Sequence, residues 1–298
     1  MNRTTCAADS RNEMKWISVV FGIIGIVPNI CTIICITRYR NLRNKVTNIL
    51  IGNLCACGVL LSSMPLMGAF KTNTLEESFG LAVSVAALYM SLLIILLIGV
   101  DRMIAVADPI GYKIRMTQKK AGLALVIMWI SCFVFFMGSI IPTRYGSNMY
   151  SVFPLNVHRF FILPASYLLI ITVVVIYLGI IIEFRRQSKR TRLQFSGQFL
   201  PAIRRSRYLT KMTLFILITF LANWLPSAVV MSQDRPAEDS LEEDFAKYHL
   251  AKLITNSFLH ASSFTNCLVY AFTNPEYRKA YKDLLCCKGF QVNPSSDY

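Results

Sequence analysis

The sequence predicts an all-α fold: seven membrane-spanning helices in one bundle, followed by a short helix lying in the membrane interface. Three observations carry that prediction. Seven long apolar runs follow one another along the 298 residues. Charged residues make up 16% of the chain and hydrophobic ones 54%, where a soluble domain carries ~25% charge. The basic residues fall mostly in alternate loops. A mean hydropathy of +0.49 agrees. Crossing a hydrocarbon core of ~30 Å takes ~20 apolar residues at ~1.5 Å rise each.

The runs are Trp16–Thr37, Thr47–Phe70, Phe79–Val106, Ala121–Pro142, Phe160–Ile182, Tyr208–Met231 and Ala246–Phe272. Inside lipid a backbone amide finds no water, so each run must satisfy its own hydrogen bonds as a helix. The turns between runs leave no room for a soluble domain. The chain therefore divides into an outer N-terminal segment (1–15), a seven-helix domain (16–273) and an interfacial helix with its tail (274–298). Residues 1–15 are polar and mixed in charge and lack the pattern of a signal peptide. The first span is expected to act as its own insertion signal.

The net charge of +15 raises the question of nucleic acid, and its distribution answers it. Arg38, Arg40, Arg43 and Lys45 follow the first span. Arg102, Lys113, Arg115, Lys119 and Lys120 lie between the cores of the third and fourth. Arg185, Arg186, Lys189, Arg190, Arg192, Arg204, Arg205, Arg207 and Lys211 join the fifth and sixth. Arg278, Lys279, Lys282 and Lys288 follow the seventh. Together these are 22 of the 31 basic residues, all on one side. Lys and Arg mark the cytoplasmic side, so the N-terminus is expected outside and the tail inside. The basic loops then face an anionic lipid leaflet, and no nucleic-acid partner is implied.

Of nine cysteines, Cys31, Cys35, Cys55, Cys57, Cys132 and Cys267 lie within apolar spans, as small packing residues do. Cys286 and Cys287 fall on the cytoplasmic side. Cys6 alone is clearly outside, so no disulfide between outer loops is expected.

Polar groups at membrane depth are costly and often functional. The third span ends Asp101-Arg102-Met103, followed by Ala107-Asp108-Pro109-Ile110. The sixth reads Phe220-Leu221-Ala222-Asn223-Trp224-Leu225-Pro226, and the seventh ends Asn266-Cys267-Leu268-Val269-Tyr270. These resemble the Asp-Arg-Tyr, Phe-x-x-Cys-Trp-x-Pro and Asn-Pro-x-x-Tyr motifs of rhodopsin-like G-protein-coupled receptors. Met103, Asn223 and Cys267 are the departures. Gly25 and Asn29, Asn53-Leu54, Trp129, and Phe161 with Pro164 resemble the landmarks of spans one, two, four and five. The resemblance runs from about Gly25 to Cys287.

It implies a receptor switched between two packings by an extracellular small-molecule or peptide ligand, with a heterotrimeric G protein as partner and no cofactor. Asp101 and Arg102 would hold the inactive state, and the freed arginine would meet the G protein. Pro226 would kink the sixth helix into a lever, with Phe220 and Trp224 as its packing contacts. Asn266 and Tyr270 would form the switch of the seventh. The ligand pocket would be faced by Ser84, Val85, Leu88 and Tyr89, by Trp224, Ser227 and Met231, and by Asn256 and His260. Ser84 stands where amine receptors carry an aspartate, which argues against a biogenic amine. His260 stands where opsins carry the retinal lysine, and Lys252 lies two turns away. The stretch from Leu268 to Cys287 resembles melanocortin receptors, and His260 resembles a ligand contact of adenosine receptors, so the lean is to that group.

Further departures follow. Gly58 replaces the family's sodium-binding aspartate, leaving no carboxylate for a buried cation. Glu77 stands where the outer disulfide begins, and residues 143–159 contain no cysteine. Thr172 occupies the place of a fifth-helix tyrosine. Asp234, Glu238, Asp239, Glu242, Glu243 and Asp244, with Glu76 and Glu77, make an acidic outer rim. It is either a solvated loop or a steering surface for a cationic peptide.

From Asn274 to Leu285 the sequence reads as an amphipathic helix with Pro275 in its first turn. Cys286 and Cys287 beside it are expected to be palmitoylated. Asn2-Arg3-Thr4 is a glycosylation sequon on the outer side. A transporter would show paired repeats with broken helices, and none is visible. An enzyme is not predicted: His158, His249 and His260 are widely separated, and no metal or nucleophile constellation is present. The remaining alternatives are a constitutively active receptor-like protein and a non-signalling partner or scaffold.

Overall fold

The computed structural model describes residues 3–69, 74–108, 111–138, 163–194, 200–232 and 242–286. Among these residues every regular element is a helix. Seven are long: α1 (Arg3–Arg38), α2 (Val46–Ala69), α3 (Thr74–Ala107), α4 (Gln118–Gly138), α5 (Leu163–Gln194), α6 (Leu200–Ser232) and α7 (Glu242–Thr273). An eighth, α8 (Pro275–Leu285), follows directly, and single helical turns at Arg40–Arg43 and Tyr112–Arg115 tighten the first two basic loops.

Several helices run past the apolar spans. α1 begins at Arg3 rather than near Trp16, because neither Pro nor Gly interrupts the chain before Gly22. α5 continues through a run of Arg, Lys and Gln, all good helix formers, as far as Gln194. Apolarity measures what sits in lipid, whereas helix length is set by breakers.

α3 runs through the middle of the bundle and packs on α2, α4, α5 and α6. α1 packs on α2 and α7, and α7 closes the ring against α6 and α2. Apolar side chains face outward along α4, where Leu123, Val126, Ile127, Ile130, Phe133 and Val134 are exposed. Asn29, Thr32, Asn48, Ser62, Asp101 and Asn266 are buried. Polar groups set within an apolar core, together with apolar side chains on the outer surface, fit a lipid solvent. Among the described residues, Val46–Ser63, Ala82–Ala107, Pro164–Arg186 and Leu209–Val230 are long and apolar enough to span, and Gly22–Arg38 is a shorter apolar helix.

Landmark residues from different helices meet. Asn29 donates to Gly25 O at 2.7 Å and to Ser263 O at 2.8 Å, tying α1 to α7. A Cβ on Gly25 would lie 2.0 Å from Ser62 Oγ, so only glycine permits this approach of α1 to α2. Trp129 Nε1 donates to Asn53 Oδ1 at 3.1 Å, joining α4 to α2.

The fifth helix departs from expectation. Pro164 is exposed near the described start of α5. Thr172 points outward and, among the described residues, bonds to Leu168 O of its own helix. The tyrosine of this helix that faces α3 is Tyr177, which is buried against Gly99 and reaches Ile95 O at 3.5 Å. Phe161 lies outside the described residues.

α8 turns away from α7 at Asn274, whose side chain accepts from Glu276 N as an N-cap, with Pro275 next as expected. Its apolar stripe packs inward: Tyr277 donates to Asn48 Oδ1 at 3.0 Å, Tyr281 and Thr32 share a hydrogen bond of 2.7 Å, and Glu276 pairs with Lys45.

Candidate activation switch at the basic end of the bundle

Asp101 and Arg102 lie near the end of α3, with Asp101 fully buried and Arg102 5% exposed. An ion pair at that depth is tolerated only when its remaining hydrogen-bonding capacity is met. For the Asp101 carboxylate it is met by a cage of donors. Arg102 donates to Asp101 Oδ2 through Nε at 3.0 Å and through a terminal nitrogen at 2.5 Å. Thr47 of α2 donates to the same oxygen at 2.9 Å and accepts from Arg102 at 2.5 Å. Tyr112 donates to Asp101 Oδ1 at 2.6 Å, so both carboxylate oxygens are bonded.

Tyr112 reaches the cage because the chain folds back after α3. Asp108 Oδ1 accepts from Gly111 N at 2.9 Å, and Asp108 O accepts from Tyr112 N at 3.0 Å, an Asx-type turn that starts the helical turn carrying Tyr112. Burial, and next the Asp101 carboxylate, push the Tyr112 phenol well above its ordinary range, so it stays protonated and donates. Among the described residues the partners of Arg102 come from α2, α3 and this turn, and none from α6.

On α6, Phe220 and Trp224 are buried with near-parallel rings, centroids 6.5 Å apart, and Pro226 lies inside the helix one half-turn on. On α7, Asn266 and Tyr270 are buried, and the Tyr270 ring packs at a tilt on Tyr277 of α8, centroids 5.5 Å apart. The Tyr270 hydroxyl and Asn266 Oδ1 have no hydrogen-bond partner among the described residues. Asn274 also donates toward Met212 Sδ at 3.9 Å, so the α7–α8 corner touches α6.

Of the expected pocket residues, Ser84 and Ser227 are buried, and their hydroxyls have no hydrogen-bond partner among the described residues. Leu88 and Tyr89 are half-buried, and Tyr89 donates to Ser166 of α5 at 3.2 Å. Tyr167 of α5 donates to Ala228 O of α6 at 3.4 Å. The side chains of Met231, Asn256 and His260, and all of Asn2 and Cys287, lie outside what is described.

The order of these helices and the position of each motif decide the comparison with known proteins. Residues 28–270 match the family model described as 7 transmembrane receptor (rhodopsin family). The chain belongs to that family. This receptor is 25% identical to trace amine-associated receptor 6 of Homo sapiens, covering 89% of this chain and 83% of the relative. It is 26% identical to the histamine H2 receptor of Rattus norvegicus, over 95% and 83%. With melanopsin of Rutilus rutilus it shares 23%, over 88% of this chain and 56% of the relative. It is a G-protein-coupled receptor, a multi-pass protein of the plasma membrane that works with a heterotrimeric G protein, and not an enzyme.

The sodium site implied by the family does not fit this receptor. Gly58 brings no carboxylate, and a Cβ there would already stand 2.8 Å from the Asn29 amide. Asn29 occupies the space that a larger residue at position 58 would need.

Sequence reasoning found the Asp101–Arg102 pair but missed Thr47, Tyr112, Tyr177 and Asn274. Thr47 looked like the first residue of an apolar span, and nothing local links it to Asp101. The Asp108–Gly111 turn was the one available signal that an aromatic at 112 is folded back onto α3.

Proposed function

We propose that this receptor is held inactive by the cage of Thr47, Asp101, Arg102 and Tyr112, and that a ligand between the outer halves of α3, α5, α6 and α7 opens it. α6 then swings about Pro226, Phe220 and Trp224 repack, Asn266 and Tyr270 turn inward, and the freed Arg102 meets the G protein. The observation that carries this reading is the closed hydrogen-bonding of Asp101, with every acceptor oxygen engaged. A ligand acts only through its differential affinity for the two packings.

The basic ends of the helices face the cytoplasm in this reading, with anionic lipid beside them. Between Phe79 and Val100 α3 carries no carboxylate, which supports a ligand other than a biogenic amine. The pocket is assigned to Ser84, Leu88, Tyr89, Trp224, Ser227, Met231, Asn256 and His260. The lean toward the melanocortin and adenosine group rests on the tail after Leu268 and on His260. Cys286, exposed at the end of α8, and Cys287 are assigned as palmitoylation sites, and Asn2 as a glycosylation site. Acyl-exchange labelling should be lost in a Cys286→Ala, Cys287→Ala double variant.

Nucleotide exchange on a panel of G proteins, with Arg102→Ala as control, tests the function. Basal or ligand-driven exchange lost in the control supports it. No exchange with any G protein or ligand would favour a scaffold.

A further inference from the structure

The first turn of α2 touches both the cage on α3 and, through α8, the switch on α7. Thr47 and Asn48 are consecutive and buried there. Their side chains leave the helix ~100° apart, as 3.6 residues per turn requires. Thr47 reaches α3, where it donates to Asp101 at 2.9 Å and accepts from Arg102 at 2.5 Å. Asn48 reaches α8, where Tyr277 donates to its Oδ1 at 3.0 Å. The Asn48 amide donates in turn to Leu42 O at 2.9 Å, so both ends of this side chain are engaged. Glu276, the neighbour of Tyr277, pairs with Lys45 just before α2.

On its other side Tyr277 meets the switch. Its ring packs on that of Tyr270, centroids 5.5 Å apart, and both are fully buried. The Tyr270 hydroxyl has no hydrogen-bond partner among the described residues, so ring packing ties it to α8. Close-packed rings cannot separate without the neighbour moving or a void forming. The second tyrosine of α8 leads elsewhere: Tyr281 shares a hydrogen bond of 2.7 Å with Thr32 of α1. For packing alone a phenylalanine at 277 would serve, so the hydroxyl is the informative group.

We propose that Tyr277 is a positioning residue that couples the α7 switch to the α3 cage through Asn48 and Thr47. While Tyr270 packs on Tyr277, the hydrogen bond to Asn48 holds the first turn of α2, and Thr47 stays on Asp101. When Tyr270 turns inward, Tyr277 loses its ring partner, the turn shifts, and Thr47 leaves the cage. The coupling is reciprocal, so opening the cage also loosens Tyr270. The inference rests on the cage being the inactive restraint. A run of contacts is not yet a coupling, which a double-variant cycle measures directly.

The test is basal nucleotide exchange by the full-length receptor in lipid nanodiscs, at equal receptor amount. Tyr277→Phe keeps the ring and removes the hydroxyl; it should raise exchange about threefold to tenfold. Thr47→Val should raise it as well. The double variant should match the more active single variant within about twofold, because both changes break one connection. Tyr281→Phe removes the other α8 hydroxyl and should stay within about twofold of the native receptor. If Tyr277→Phe does not elute as a monodisperse receptor, Asn48→Ala removes the same bond from the other end, with the same expectations. Multiplying effects in the double variant, no rise in Tyr277→Phe, or an equal rise in Tyr281→Phe overturns the coupling and leaves the cage standing. No rise in Thr47→Val or in Tyr112→Phe overturns the cage itself, and the coupling with it.

Discussion

Replacing Tyr112 by phenylalanine removes one hydroxyl and leaves the ring in place. The hydroxyl donates to Asp101 Oδ1 at 2.6 Å, and no other group among the described residues bonds that oxygen. A hydrogen bond to a charged group contributes ~1.5–3 kcal/mol. Tyr112 is half-buried at the membrane edge, so water replaces part of the loss and the lower end applies. About 1.4 kcal/mol is a factor of ten in an equilibrium. If the cage is present only in the inactive packing, basal nucleotide exchange should rise about tenfold at equal surface expression. The exposed Arg115–Asp108 pair at 3.2 Å is a control, since such a contact contributes ~0–1 kcal/mol. Arg115→Ala should raise exchange less than about fivefold. Unchanged or lower basal exchange in Tyr112→Phe, with normal expression, would refute the view that the cage restrains the receptor.

Three further outcomes follow from the same geometry. Gly58→Ala places a Cβ 2.8 Å from the Asn29 amide, whereas one at Gly52 meets nothing closer than 3.7 Å; Gly58→Ala should cost ~1–3 kcal/mol, lowering the Tm several degrees, and Gly52→Ala should not. Asn274→Ala removes the N-cap of α8, worth ~1 kcal/mol, together with the donor to Met212, so hydrogen exchange of residues 275–285 should quicken severalfold; unaltered protection would show that α8 is held by Tyr277 and Tyr281 alone. With Asn29 in place of a carboxylate site, agonist affinity should be the same in sodium as in a larger cation at equal ionic strength, and a selective sodium effect would contradict the fit described above.

The sequence by itself determined the solvent and the number of crossings. Apolar length and the segregation of Lys and Arg answer to the bilayer, which acts on each segment separately, so local composition suffices. The positions of Asp101, Arg102, Trp224, Pro226, Asn266 and Tyr270 were legible for the same reason, as short motifs at fixed depths. Partners were not. That Tyr112 and Thr47 share Asp101, that Tyr177 rather than Thr172 faces α3, and that Asn29 fills the space above Gly58 depend on how helices rotate and approach one another. Those rotations are settled by side chains meeting across tens or hundreds of residues of chain, as when Asn29 finds Ser263 O.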